Sequence, residues 1–192
     1  MEKDWTIQEV STMPVIALRG LTIFPNVLIH FDVAREISIK ALEEAMTAGD
    51  PVFLVGQKDL SVEKPEAKDL YTVGTVSKVR QILRMPGDNV RVMVEGICRG
   101  NLEQLKRTTP YLEAEVRTIP KEKPGNNSAK TEALIRSTYE MFQQYTELAP
   151  KTAPDLLINV LASEDPGYIA DFIAQNIAMR NSDKQAVLEE LR

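Results

Sequence analysis

The residue types most suited to catalysis are scarce in this chain. The 192 residues contain one histidine, His30, and one cysteine, Cys98. A histidine base or a cysteine nucleophile works with a partner group, and no such pairing pattern is recognisable around either residue. His30 lies on the polar side of an alternating segment and Cys98 follows a valine-rich one, so we interpret them as a surface residue and a core residue. The usual ligand sets of zinc sites are also missing.

The segment from Ser61 to Lys64 has the S-x-x-K spacing of the penicillin-binding enzymes. In those enzymes the motif opens a helix, whereas Pro65 follows at once here and the partner motifs S-D-N and K-T-G are missing. The phosphate-binding patterns G-x-x-x-x-G-K-S/T and G-x-G-x-x-G are missing as well. We therefore predict no catalytic, cofactor or metal site in these residues and expect the chain to act by binding.

Basic side chains are the next group of interest, because cations bind phosphates. Residues 71–107 carry seven basic and three acidic side chains inside a chain whose formal net charge is −5. Lys78, Arg80 and Arg84 share one parity along a strand pattern, and Arg91 follows on the next strand. One hypothesis is nucleic-acid contact through Arg80, Arg84 and Arg91, although few aromatic side chains lie between them to stack on bases. The alternative interpretation is an ordinary solvated face of a sheet.

The first part of the chain is predicted to be rich in β-strands. Ile29, Phe31 and Val33 alternate with polar residues, which is the period-two pattern of a half-buried strand. One helix is predicted at 35–48, because its apolar residues recur at helical spacing and Gly49 follows as a stop. Strands are predicted at 14–19, 26–33, 51–56, 71–85, 90–96 and 111–119, with a hairpin turn at 86–89.

A polar segment with two prolines and one glycine, residues 120–128, is typical of a linker. It divides a β-rich domain at 1–119 from a helical subdomain predicted at 129–192. The first helix of that subdomain carries a stripe of side chains three or four positions apart: Leu134, Thr138, Met141, Tyr145 and Leu148.

Local signals place two later helices. Asp165 is predicted to cap a helix whose first residue is Pro166, and Ser182 with Gln185 three positions later matches a capping box. The last helical pattern runs to residue 192 without a glycine, a proline or a polar stop. This pattern suggests that the chain is a fragment that ends inside a longer helix.

Composition predicts the compartment. Hydrophobic residues make up 43% and charged residues 27%, as in an ordinary globular protein, and no apolar run approaches the roughly 18 residues of a membrane span. The N-terminal residues lack the basic and apolar regions of a secretory signal, and a single cysteine cannot form an internal disulfide. We expect a cytoplasmic protein.

Seven short stretches follow one another in a familiar order. They read MPVIALR at 13–19, IFP at 23–25, FDVAREISIKALE at 31–43, DLYTVGTV at 69–76, VMVEG at 92–96, DPGYIAD at 165–171 and DKQAVLE at 183–189. Together they resemble the N-terminal domain of the ATP-dependent Lon proteases over nearly the whole chain. Each stretch alone would be weak, but their shared order makes the resemblance specific.

The resemblance implies an α+β fold, in which a β-rich PUA-like subdomain with one inserted helix precedes an all-α helical bundle leading into a long truncated helix. It also implies a parent protein with an ATPase module, which would use ATP and Mg, and a Ser-Lys serine protease module, neither of them in this chain. Members of the family form homohexamers, degrade misfolded and selected regulatory proteins, and in some cases bind DNA.

In that family the N-terminal region contributes to substrate selection and assembly, so we expect a non-catalytic recognition module. The candidate substrate-contact surface is the start of the predicted helix, where Arg35, Glu36 and Lys40 face away from its apolar stripe. Its partners would be unfolded or damaged proteins, bound through weak contacts that add up in a ring. A stand-alone enzyme is the remaining alternative, and no motif supports it.

Overall fold

The computed structural model describes residues 8–87, 89–120, 129–149 and 154–191. Two compact units divide the chain. The sheet unit combines Met1–Lys121 with Arg180–Arg192, and the helical unit is Glu122–Met179. The strands are β1 (Val10–Leu18), β2 (Leu28–Val33), β3 (Val52–Gly56), β4 (Val73–Arg84), β5 (Val90–Arg107) and β6 (Leu112–Ile119). The helices are α1 (Glu36–Ala48), α2 (Ala129–Leu148), α3 (Pro154–Leu161), α4 (Pro166–Asn176) and α5 (Asn181–Glu189), with a short 3-10 turn at Ala67–Asp69.

The six strands form one mixed sheet in the order β2-β5-β4-β3-β1-β6, and β5 also pairs with β6. This second pairing closes the sheet, because β5 is long enough to change neighbours along its length. Its first part pairs with β2 up to Glu95, and its later part pairs with β6 from Arg99 onward. The β1–β3 pair is parallel, so the chain passes through β2 and α1 before it returns as β3.

Alternating burial along the strands produces two cores. The β5–β6 pairing closes β5, β4, β3, β1 and β6 into a ring of strands. One cluster joins side chains from these five strands inside the ring, with Phe53 and Val76 fully buried. The other cluster lies between the opposite face of the sheet and α1, where Ala41, Leu42 and Ala45 pack against the strands. Burial of apolar surface on both faces therefore holds α1 and the connections around it against the sheet.

The helical unit has a small core of its own. Phe142 of α2, Val160 of α3 and Ile169 of α4 are buried against one another and are surrounded by partly buried aromatic and aliphatic side chains. The predicted start of α4 is confirmed, since the Asp165 carboxylate accepts hydrogen bonds from two backbone N–H groups and Pro166 is the first helical residue. Among the described residues, no helix has the length and hydrophobicity needed to span a bilayer.

The structure differs from the sequence prediction at α5, which packs on the sheet instead of joining the helical unit. Gln185 donates through Nε2 to the Val73 carbonyl at 2.9 Å, and Arg99 donates through Nε to the Leu188 carbonyl at 2.8 Å. Gln185 is thus used for a tertiary contact, whereas the sequence predicts a capping box with Ser182. The predicted capping box is therefore wrong. The N-cap of α5 is Arg180, two residues before Ser182, and its side chain makes no capping hydrogen bond.

The predicted run of helix to residue 192 is not seen, because α5 ends at Glu189 and Glu190 has an extended backbone. Two other predictions concern segments that the structure covers only in part. The predicted linker at 120–128 lies, apart from Pro120, outside the described residues. The predicted hairpin is present, but β5 continues eleven residues beyond the predicted end at residue 96, as far as Arg107.

Candidate functional site

A groove with a volume of about 320 Å³ opens where β1 and β2 end and α1 begins. The short connection from β2 to α1 brings Ala34 and Arg35 to one side of it, and the residues after β1 bring Arg19 to another. Its walls are mainly apolar, and its polar groups are two guanidinium groups, one carboxylate and one hydroxyl. The lining residues are Ile16, Ala17, Leu18, Arg19, Leu21, Phe31, Asp32, Val33, Ala34, Arg35 and Ser38.

Arg35 is the half-buried cation of this groove. Its backbone forms the N-cap of α1, and its guanidinium donates to the Ala17 carbonyl and, at 3.2 Å, to Gln57 Oε1. Burial lowers the pKa of the Arg35 guanidinium, and the nearby charge of Arg19 lowers that pKa further. Arg35 therefore connects α1 to β1 and to the residue after β3, and it stays charged because arginine does not deprotonate at neutral pH.

Arg19 is exposed, and it donates through Nη2 to the Val62 carbonyl at 2.9 Å. Among the residues that the structure describes, neither Arg19 nor Arg35 pairs with a carboxylate. Asp32 also lines the groove, but its carboxylate accepts two hydrogen bonds from Arg91, at 2.7 and 2.9 Å. The hydrogen bond with Arg91 lowers the pKa of the Asp32 carboxylate, so this acid is ionised and already compensated. The groove therefore carries a net positive charge.

The structure separates the three residues predicted to contact substrate. Arg35 lines the groove, whereas Glu36 and Lys40 lie on the exposed side of α1 and pair with each other at 2.6 Å. The hydrogen bond from Lys40 lowers the pKa of the Glu36 carboxylate, as expected for partners one helical turn apart. Glu36 and Lys40 thus present a nearly neutral pair to solvent, and their role in substrate contact stays a prediction. The sequence pattern gave no signal for Arg19 or Phe31 as neighbours of Arg35.

Each arginine proposed for nucleic-acid contact has an acidic partner. The pairs are Arg80–Glu95, Arg84–Glu43 and Arg91–Asp32, with donor–acceptor distances of 2.6, 2.6 and 2.7 Å. A cation that is already paired offers less free charge to a phosphate backbone. The nucleic-acid hypothesis stays a prediction, and this geometry does not favour it.

A β-bulge explains why Arg80 and Arg84 share one parity in the sequence but not one face of the sheet. The register between β4 and β5 shifts between Val79 and Gln81, so Arg80 lies at the irregularity. An extra residue in one strand changes which side chains share a face. Arg80 consequently reaches a partner on β5, and Arg84 reaches a partner on α1.

The two residues with nucleophile or base chemistry lie apart from the groove lining. His30 is exposed on β2, and Cys98 is 8% exposed on β5 within the ring core. Within the described residues, no three histidine, cysteine or carboxylate side chains come together as a metal site. The groove is the candidate functional site, and its two arginines beside apolar walls suit the binding of a ligand.

Cys98 should react slowly with thiol reagents in the folded chain. Burial raises the pKa of its thiol to about 11, and only the thiolate is nucleophilic. At pH 8 we expect the native chain to react about a hundredfold more slowly than the urea-unfolded chain with a soluble aromatic disulfide. Because the chain has a single cysteine, absorbance of the released thiol reports this residue alone. Native and unfolded rates within about threefold of each other would contradict the assignment as a buried core thiol.

Comparison with known proteins identifies the family. The family model described as "ATP-dependent protease La (LON) substrate-binding domain" matches residues 12–192. The chain therefore belongs to the family of Lon substrate-binding domains, which confirms the resemblance found in the sequence motifs. It is 40% identical over 183 residues to the Lon protease of Desulforamulus reducens, a match that covers 95% of this chain and 22% of that protein.

Other relatives agree. The Lon protease of Clostridioides difficile is 38% identical over 99% of this chain and 24% of its own length, and Lon protease 1 of Bacillus subtilis is 33% identical over 93% and 23%. The chain thus spans less than a quarter of the length of these relatives. The N-terminal domain of a Mycobacterium avium complex Lon protease has the same fold, with a TM-score of 0.73, 17% identity and coverage of 95% of this chain and 91% of that one. A Lon N-terminal domain protein from Xanthomonas campestris matches with a TM-score of 0.65 and 11% identity over 94% and 91%.

Proposed function

We propose that this chain is the substrate-recognition and assembly module of an ATP-dependent serine protease of the Ser-Lys type. The parent protein would form a homohexamer, use ATP and Mg in its ATPase module, and degrade misfolded and selected regulatory proteins in the cytoplasm. Membership of the Lon substrate-binding family supports a role in engaging protein substrates. The relatives that this chain matches are named Lon protease, and the chain corresponds to less than a quarter of each.

The observation that carries this proposal is a row of exposed apolar side chains on α2. Leu134, Met141 and Leu148 are 60%, 68% and 85% exposed, and we call them the apolar row. They recur every seven residues, so they lie on one side of the helix about 10 Å apart. The packing face of α2 is formed by other residues, with Phe142 at its centre. Among the residues that the structure describes, the row therefore takes no part in the core of the helical unit.

An exposed row of this kind suits an unfolded chain better than a folded partner. Unfolded proteins expose single apolar side chains along an extended backbone, and each can cover one member of the row. Burying part of such a side chain contributes about 1 kcal/mol, which is weak for one site but adds up when six copies act together. The proposal thus explains why large apolar groups remain in contact with water.

Replacing all three members of the row, Leu134→Gln, Met141→Gln and Leu148→Gln, should weaken binding of a permanently unfolded protein about a hundredfold, since about 1 kcal/mol is lost at each position. Glutamine keeps the length and helix propensity of these side chains and removes their apolar surface. The measurement is fluorescence anisotropy of a labelled, permanently unfolded protein titrated with the chain, with circular dichroism to verify the fold. Because the row makes no core contacts, the thermal midpoint should change little.

The matched control replaces three exposed apolar residues that do not form a row. Leu28, Met46 and Leu60 are 61%, 49% and 52% exposed and lie on β2, on α1 and in the connection after β3. Their glutamine variants should bind the unfolded protein as the wild type does. In the parent protease, the row variant should degrade unfolded protein more slowly while its basal ATP hydrolysis stays the same. Equal affinities for wild type and row variant would rule out this surface.

A further inference from the structure

We propose that the groove between β1, β2 and α1 binds an acidic side chain of an unfolded substrate together with the apolar residue beside it. This inference rests on the proposed function and deepens it by naming the chemistry of the segment that is recognised. Arg19 and Arg35 would hold the carboxylate, and Leu21 and Phe31 would contact the apolar neighbour. The occupant is a segment inside a protein chain, recognised through its side chains.

The two guanidinium groups have hydrogen-bonding capacity left over. A guanidinium has five N–H donors. Arg35 donates to one backbone carbonyl and one side-chain amide, and Arg19 donates to one backbone carbonyl. Those acceptors are neutral, so within the described residues no anion compensates either charge. A carboxylate accepts two hydrogen bonds in parallel from arginine and forms shorter, stronger bonds than a neutral acceptor does.

The half-buried position of Arg35 strengthens this preference. A cation that has lost part of its water is costly, and its attraction to an anion is larger than at the open surface. The first turn of α1 adds to the positive potential, because its N-cap has no side-chain hydrogen bond to the free backbone N–H groups. Glu36, the acidic residue of that turn, pairs with Lys40 and does not line the groove.

The walls of the groove explain why an apolar neighbour is part of the ligand. Leu21 and Phe31 are half-buried and form its apolar sides beside the two cations. A volume of about 320 Å³ is near the lower end of ligand pockets, which range from roughly 300 to 1,000 Å³. The groove therefore has room for one or two side chains.

The acid of the groove itself does not compete for the two cations. Asp32 lines the groove, but both of its carboxylate oxygens accept hydrogen bonds from Arg91 on β5. These two residues are directly opposite in the β2–β5 register, so the sheet itself holds the pair in place. Arg91 thus keeps Asp32 away from Arg19 and Arg35, which leaves these two cations for a carboxylate from outside.

The test uses fluorescent peptides that are capped at both ends and contain Glu-Phe among serine and glycine residues. A matched peptide carries Gln in place of Glu, and a third carries Gln and has a free C-terminal carboxylate. Anisotropy titrations with the chain at about 50 mM salt should show the Glu peptide binding about tenfold more tightly than the Gln peptide. The ratio should shrink at about 300 mM salt because ions screen exposed charges.

Two variants locate the effect. Arg19→Gln should weaken binding of the Glu peptide about tenfold and leave the Gln peptide unchanged, since it removes one cation and only one exposed hydrogen bond. Arg84→Gln is the matched control, because it removes the same charge from an exposed residue that pairs with Glu43 and does not line the groove. Arg35→Lys, which keeps the charge but loses the planar fork, should also lose the Glu preference if its thermal midpoint shows a folded chain.

Four outcomes would overturn the proposal. Equal affinity for the Glu and Gln peptides would remove the acidic preference, and equal weakening by Arg19→Gln and Arg84→Gln would reduce it to overall charge. Tight binding of the third peptide would assign the groove to a terminal carboxylate. Displacement of the Glu peptide by millimolar inorganic phosphate, together with equal affinity for a Glu peptide in which Ser replaces Phe, would assign the groove to small anions. If the unfolded protein still binds through the apolar row while the Glu preference is missing, this inference fails and the proposed function stands. If the Glu peptide binds more tightly than the Gln peptide but the row variant binds unfolded protein as the wild type does, the apolar row no longer supports the proposed function. The proposal for the groove then stands.

Discussion

Replacing Phe53 with alanine is expected to lower the free energy of unfolding of the sheet unit by about 3–5 kcal/mol. Phe53 lies on β3, is 0% exposed, and belongs to the cluster inside the ring. Its ring occupies the space beside Gly74 of β4 and Gly100 of β5, where an added Cβ would approach ring atoms to 2.7 and 3.0 Å. Neither glycine has a side chain that could move into the cavity, so the loss should be near the upper end of that range.

The effect can be measured by urea denaturation followed by far-ultraviolet circular dichroism. The control is Leu28→Ala, a side chain that is 61% exposed on β2, for which a change within about 0.5 kcal/mol is expected. A loss below about 1 kcal/mol for Phe53→Ala would show that the closed ring of strands does not enclose this side chain. The variant also bears on binding, because β3 pairs with β1, whose Ala17 carbonyl accepts from Arg35 in the groove.

Gly96→Ala is expected to cost about 3 kcal/mol of stability, because the new methyl group would meet backbone that cannot move aside. A Cβ at this position would lie 2.3 Å from the carbonyl oxygen of Phe24 and 3.2 Å from Cα of Pro25. Two hydrogen bonds fix the approach: Gly96 N–H donates to the Val27 carbonyl and the Asn26 N–H donates to the Gly96 carbonyl, both at 2.9 Å. The contact therefore holds the connection from β1 to β2 against the sheet.

Gly87→Ala is the control that separates steric contact from backbone preference. Gly87 has a φ of +82° in the hairpin turn, and an added Cβ would meet no heavy atom of the described residues within 4 Å. Its substitution should cost about 1 kcal/mol through backbone strain alone. Thermal and urea unfolding of both variants under the same conditions gives the difference directly. A Gly96→Ala cost no greater than that of Gly87→Ala would contradict the close backbone approach.

Gly96 also marks the point where prediction from sequence stopped short. The strand pattern predicts an end at residue 96, since glycine weakens strands. In the structure β5 continues to Arg107, and this second part provides the pairing with β6 that closes the sheet. Pairing between residues far apart in sequence decides the continuation, and no local pattern reports it.

The apolar stripe of α2 shows the same limit in a helix. Periodicity indicates correctly that Leu134, Met141 and Leu148 share one side of the helix. It cannot show whether that side faces a partner, because a second apolar side, centred on Phe142, competes for the core. Only the packing of α3 and α4 decides between them, and it leaves the apolar row exposed.

The amino-acid sequence by itself determined the features that depend on neighbouring residues. Strand alternation, the cap of α4 by Asp165 and the family motifs all arise within a few residues of one another, where sterics and local hydrogen bonds decide. The tertiary structure alone decided the closure of the sheet, the docking of α5 through Gln185, and the meeting of Arg19 with Arg35 in the groove. These depend on contacts between distant segments, whose free energy comes from burial and charge in the folded chain and leaves no periodic trace in the sequence.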